Sequence, residues 1–170
     1  MGRGIGIGCK CRRKELMLGV GMMHPMVYQE TMDKIRAGKY GPEMQDLVKI
    51  RKYIAADVEM YAYWCDGCGW IDSLMALDLY EPKDIEKVKK RVSNRWSAGD
   101  EKNEQSVEEL GDLPYFTVPD EDYKLLKEYK HVCPKCGKVM KKIDAAELEK
   151  KSCPKCGEKY KVEDSLILWD

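Results

Sequence analysis

Apolar residues fall at helical spacing early in the chain. In HPMVYQETMDKIRAGKYG, residues 24–41, Tyr28, Met32 and Ile35 share one face. Pro25 suits a first helical turn and Gly38 a stop, so the segment is predicted to be a helix. Pro42 opens a second helix, with Met44, Leu47 and Val48 on one side. The pattern then changes. DVEMYAYW (57–64) and WIDSLMALDLY (70–80) are rich in aromatic and β-forming residues and flank a short turn, which predicts two strands. DIEKVKKRVSNRW (84–96) returns to helical spacing through Ile85, Val88, Val92 and Trp96, with Asp84 as cap.

The later part is less periodic. YKLLKEYKHV (123–132) fits neither period well, and a strand is expected at its end, where it runs into Cys133. DAAELEKK (144–151) is a short helix whose Asp144 and Glu147 form a capping box, and SLILWD reads as a closing strand.

Cysteine spacing alters this picture most. The eight cysteines come as four pairs: Cys9 and Cys11, Cys65 and Cys68, Cys133 and Cys136, Cys153 and Cys156. The last two pairs are both Cys-Pro-Lys-Cys-Gly. Two cysteines three apart at a tight turn aim both sulfurs at one point, and the glycine after them adopts a backbone conformation that other residues resist. Two such knuckles facing each other make a closed tetrahedral four-cysteine site for zinc. The sequence therefore predicts a zinc ribbon over 113–170 with Cys133, Cys136, Cys153 and Cys156 as ligands. Iron in a rubredoxin-type site has the same sulfur geometry and stays open as an alternative. A thioredoxin-type dithiol needs a single CxxC at a strand-to-helix junction, which the duplicated units do not offer.

YWCDGCGW holds a third knuckle, Cys65 and Cys68, in need of two more ligands. Cys9 and Cys11 are the natural partners along the sequence. If GIGIG and the residues after it are extended, Cys9 and Cys11 point to one side with Lys10 turned away. The expectation is a split ribbon over 1–98 with segment 25–54 inserted. A loop of that length costs only a few kcal/mol to close, against about 10 kcal/mol from a structural zinc. Between the two modules, residues 99–112 form an acidic stretch that reads as a linker. The fold class expected is α+β: small antiparallel zinc-ribbon modules with inserted helices and two zinc ions per chain.

The CPxCG stretch resembles the zinc ribbons of many nucleic-acid-processing and adaptor proteins. Through GCKC, LGVGMMHP and the terminal WD, the chain resembles uncharacterised double-zinc-ribbon proteins of Firmicutes-type bacteria. That resemblance implies a further cysteine shortly after the first pair, where this chain has Arg12, Arg13 and Lys14. It implies no particular activity.

Composition narrows the function classes. Of 170 residues, 35% are charged, Phe occurs once and formal net charge is zero, with mean hydropathy −0.57. Such a chain has a modest core under a charged surface and does not attract nucleic acid by bulk charge. No run of 18 apolar residues is present, and the N-terminal stretch lacks the apolar region of a secretory signal. A cytoplasmic location is expected, in which eight cysteines act as ligands rather than disulfides.

Charge is uneven nonetheless. Residues 99–122 carry nine acidic and one basic side chain, and residues 124–161 carry twelve lysines and five acidic ones. A basic ribbon near Tyr123, Tyr129 and Tyr160 suits single-stranded nucleic acid, with the acidic linker able to cover it in cis. The alternative is a lysine-rich solvated face. GRGIGIG lacks the spacing and preceding strand of a dinucleotide loop. GVGMMHP is either a tight turn with core methionines or a soft ligand pocket around His24. His131 is either a surface strand residue, a group supporting the cysteines or an alternative ligand. No catalytic triad, HExxH or phosphate loop is visible, so an adaptor with a protein partner is expected ahead of a nucleic-acid binder or an electron carrier.

Overall fold

Glycine alternates along the first strand, and that alternation decides how it packs. The computed structural model describes residues 2–19, 24–88 and 121–169, with side chains except at 24, 25 and 166–169. Strand β1 (Gly2–Cys9) puts Ile5 and Ile7 on a buried face and glycines on the other. Arg13 lies over that second face: a Cβ on Gly6 would sit 3.4 Å from its Nη2. β1 is the middle strand of an antiparallel sheet, with β2 (Arg12–Leu18) on one edge and β9 (Lys161–Trp169) on the other. Its register sets Cys9 opposite Arg12 and Gly8 opposite Lys161.

The architecture is α+β, built of small three-stranded antiparallel sheets. The chain divides into two compact units, each discontinuous in sequence. The first combines residues 1–22, 59–76 and 130–170; the second combines 23–58 and 77–129. This differs from the expected division into 1–98 and 113–170, because β1 pairs with a strand more than 150 residues downstream. The proposed linker 99–112 and the end of the 84–96 helix lie outside the described residues, as does most of GVGMMHP.

The first unit also holds β4 (Met60–Trp64), β5 (Ile71–Met75) and β8 (Lys141–Lys142), in the order β5-β4-β8. Strand alternation splits β4 between two apolar clusters. Ala62 and Trp64 join Ile5, Ile7, Leu16, Ile71, Leu148 and Tyr160. Tyr63 and Cys65 join Cys133 and Met140. Leu148 comes from the short helix, whose Asp144 carboxylate accepts the Glu147 N–H at 2.7 Å, the cap expected from sequence.

The second unit contains α1 (His24–Arg36) and α2 (Pro42–Ile50), and a sheet of β3 (Ala55–Ala56), β6 (Leu79–Pro82) and β7 (Tyr123–Lys127) in the order β3-β6-β7. As the spacing predicts, α1 buries Tyr28, Met32 and Ile35, α2 buries Met44, and Gly38 takes φ 78° after α1. Asp84 caps a helical turn at 85–88 by accepting the Lys87 N–H at 3.1 Å.

Two strand expectations need correction. The run 70–80 is not one strand: at Leu77, φ is 63° and the N–H turns to the Asp57 carbonyl at 2.7 Å, so β5 and β6 belong to different units. In 123–132 the strand is at the beginning rather than the end. There, Tyr123 is buried and pairs with Pro82, while the Tyr129 N–H is drawn to the Asp78 carboxylate at 2.9 Å. Among the described residues, no helix is long and apolar enough to cross a membrane.

Candidate metal centres

All three CxxCG turns fold alike. In each, the first cysteine's N–H donates to the carbonyl five residues on: Cys65 to Trp70, Cys133 to Lys138 and Cys153 to Glu158, each at 2.8 Å. In each, the glycine N–H returns to the first cysteine's carbonyl at 2.8–2.9 Å. The glycines Gly69, Gly137 and Gly157 have φ of 66°, 72° and 75°, the left-handed region where a side chain is strained. At Gly69 there is a second constraint, since a Cβ would lie 2.7 Å from Cγ of Pro154.

Cys9 and Cys11 are arranged differently. They do not lie along one extended strand; β1 ends at Cys9 and β2 begins at Arg12, so Lys10 and Cys11 are the two-residue turn of a hairpin. The turn itself brings the sulfurs together, 3.5 Å apart. Glu158 grips it, accepting the Lys10 N–H at 3.3 Å and pairing with the Lys10 ammonium at 3.1 Å.

The four pairs assemble into two groups, but not by order in the chain. Cys9 and Cys11 meet Cys153 and Cys156; Cys65 and Cys68 meet Cys133 and Cys136. This overturns the expected pairing of Cys9 and Cys11 with Cys65 and Cys68, and of Cys133 and Cys136 with Cys153 and Cys156. The cause is the sheet. Pairing Gly8 with Lys161 carries the β1–β2 turn to the start of β9, five residues beyond Cys156. On the other side, pairing of Tyr63 and Trp64 with β8 brings the 65–68 knuckle to the 133–136 knuckle. The 113–170 stretch thus contains half of each group rather than one complete site.

Within each group the ligand atoms all lie within 4.8 Å of one another. Close sulfur separations are 3.5–3.6 Å in the outer group (9, 11, 153, 156) and 3.4–3.5 Å in the inner one (65, 68, 133, 136). Tetrahedral zinc with sulfurs at 2.3 Å requires about 3.8 Å between them. The four-sulfur sets fit such an ion, so each group could hold a metal.

Backbone dipoles prepare particular thiols. Burial pushes the Cys153 thiol up, yet the N–H groups of Cys156 and Lys155 outweigh it and hold it down to about 6. Burial likewise raises Cys133, and the N–H groups of Lys135 and Cys136 bring it to about 7. The neighbouring Cys156 and Cys9 sulfurs push Cys11 up to about 12; burial first, then the Cys133 sulfur, does the same to Cys68. A bound cation displaces the protons that these crowded sulfurs otherwise share.

Arg12 and Lys14, which follow the first cysteine pair, tie β2 to the 65–69 knuckle and to the strand after it. Arg12 donates to the Gly69 carbonyl at 3.2 Å and to the Tyr160 hydroxyl; Lys14 donates to the Ile71 carbonyl at 2.8 Å and to Asp72 at 2.7 Å. Sequence reasoning missed these clamps, although the alternation of Arg12, Lys14 and Leu16 on one face of β2 was a signal. His131 is in neither group. Its Nε2 lies 2.7 Å from the Met75 carbonyl and its ring packs on Tyr63. Of His24, the side chain lies outside the described residues.

No family model, no curated protein and no solved structure matches the chain.

Proposed function

We propose that the protein is a zinc-binding interaction protein whose two four-cysteine centres are structural, and whose first unit displays a recognition surface for a partner. The observation that carries this reading is that cysteine sulfur supplies all four donors in each group. A tetrahedral ion held by four thiolates has no open position for water or substrate, which hydrolytic zinc chemistry requires. Zinc suits sets defined by four sulfurs and a tetrahedral arrangement alone. Stabilisation on the order of 10 kcal/mol per ion is the scale of contribution expected of such a centre.

The same sulfurs suit iron, which makes a rubredoxin-type electron carrier the second reading. Elemental analysis and absorption spectroscopy of the protein as purified from its host separate the two. Two zinc ions per chain and no visible absorption are expected. A red protein that bleaches on reduction would replace the adaptor reading with the electron carrier.

A further inference from the structure

A cavity of about 170 Å³ lies beside the brace between β2 and the 65–69 knuckle, lined by Ile7, Arg12, Arg13, Lys14, Trp70 and Tyr160, among others. Its polar groups are nearly all donors. Arg12 spends its hydrogen bonds on a carbonyl and a hydroxyl, neither of which cancels its charge. The Lys135 ammonium stands 4.3 Å from the Trp70 ring centre and that of Lys14 4.9 Å from it. Carboxylates reach two of these cations: Asp72 pairs with Lys14 at 2.7 Å and Glu163 with Arg13 at 3.5 Å. The Trp70 indole Nε1 is buried with no acceptor among the described residues.

We infer that this cavity takes a phosphate of single-stranded nucleic acid, which names the partner class and rests on the interaction-protein reading above. A phosphate supplies what the site lacks: negative charge for Arg12 and Lys135, and acceptor oxygens for the guanidinium and ammonium donors around it. The cavity is smaller than the 300–1,000 Å³ of sites that enclose a whole small molecule, so it receives one group of a larger ligand. Cations without carboxylate partners among the described residues also stand on the knuckle turns, at Lys135, Lys138 and Lys155, all exposed. A repeating phosphodiester fits such a series better than one phosphorylated side chain. The site is a concavity rather than a helix or ribbon that could enter a duplex groove, which favours a flexible single strand.

Two tetrathiolate centres each carry a charge of about −2, so attraction comes from these local donors rather than from a bulk field. The salt dependence is correspondingly moderate. Three or four neutralised phosphates give a slope of roughly −2 to −3 on a single strand.

The experiment uses the full chain carrying two metals and a fluorescently labelled 12-nucleotide oligo-dT, read by anisotropy. Binding is expected at 50 mM salt and should weaken roughly 20- to 60-fold by 200 mM. Lys135→Glu and Lys138→Glu, neither at a ligand, should each weaken it at least fivefold with both metals retained. Trp70→Leu, which removes the aromatic wall beneath the Lys135 and Lys14 ammonium groups, should weaken it a few-fold. Absence of binding at 50 mM salt by a chain with both metals overturns this inference alone. Equal binding by the Lys135→Glu variant also overturns it. Binding of inorganic phosphate or a phosphoserine peptide without the oligonucleotide would assign the cavity to a different ligand and overturn it too. Loss of the metals would instead strike the interaction-protein reading itself.

Discussion

The outer and inner cysteine groups reach one chemistry by two constructions. The inner group faces two knuckles of identical backbone hydrogen bonding, contributed by segments 65 and 71 residues apart in its close sulfur contacts. The outer group faces one such knuckle with a hairpin turn, across 142 and 147 residues. In the inner group each half is preformed by a local turn, including its left-handed glycine. In the outer group the Cys9–Cys11 half is set by the β1–β2 hairpin turn, and its meeting with Cys153 and Cys156 depends on β1 also pairing with β9. A knuckle can thus be replaced as a ligand holder by a hairpin turn, but the complete site then exists only once the β1–β9 register has formed.

The sharpest way to break this comparison is to cut the chain. A fragment of residues 113–170 contains only one half of each group, so it should hold no metal in a complete four-cysteine site and should lack stable structure. It forgoes stabilisation on the order of 10 kcal/mol per site. A folded fragment with one tightly bound zinc, seen by native mass spectrometry and circular dichroism, would restore the pairing expected from sequence.

Paired serine substitutions test the connectivity in the whole chain. Replacing Cys9 and Cys11 should reduce two metals to one, and further replacing Cys153 and Cys156 should remove no more. Replacing Cys9, Cys11, Cys65 and Cys68 together should leave none. Metal stoichiometry by elemental analysis decides, since one remaining ion in that last variant would exclude the nested arrangement.

Smaller effects distinguish the knuckles from each other. Gly137→Ala incurs only the left-handed backbone cost, about 1–2 kcal/mol, because no atom lies within 4 Å of its Cβ position. Gly69→Ala adds an overlap with Pro154 and should lower Tm further. Equal Tm losses would mean that the contact is easily relieved. Arg12→Met should cost roughly 1–2 kcal/mol through the lost bonds to Gly69 and Tyr160, measured by thermal melting with both metals bound.

The smallest effect belongs to the grip on the outer turn. Lys10 holds the Glu158 carboxyl below its usual range. A carboxyl depressed on folding contributes stability that is present above its unfolded value, near 4.3, and lost as pH falls through the folded one. Glu158→Gln should therefore melt slightly below the parent at pH 7, with the gap closing as the pH falls below about 4. A gap that persists there would attribute the effect to the shape of the side chain rather than its charge.

Local chemistry is readable from the residues because it is written in short spacings. The CxxCG turns, the Asp144 cap, the buried face of α1 and the stop at Gly38 each depend on residues within a few positions. Ligand pairing is not readable by the same means. Proximity along the sequence sends Cys9 and Cys11 to the nearest half-empty knuckle, whereas the structure assigns them through β1 and β9, the two longest strands. A usable signal exists: a strand entering Cys9 and a strand leaving Cys156 both need partners, and pairing them brings those cysteines together. The break at Leu77 is equally hidden, since WIDSLMALDLY reads as one continuous run and is interrupted by tertiary hydrogen bonds, from the Leu77 N–H to the Asp57 carbonyl and from the Asp57 N–H to the Asp78 carbonyl.

Four cysteine pairs can be joined two by two in three ways: side by side, interlaced, or nested like parentheses. This chain uses the nested way, and nesting imposes an order of events. The inner parenthesis can close first without waiting for the outer, and closing it roughly halves the span that Cys11 and Cys153 must bridge. By the loop-entropy scale that saves about 0.6 kcal/mol, little in free energy. The sequence of steps matters more: metal uptake should proceed from the middle of the chain outward, with no strand needing to thread through a ring already shut.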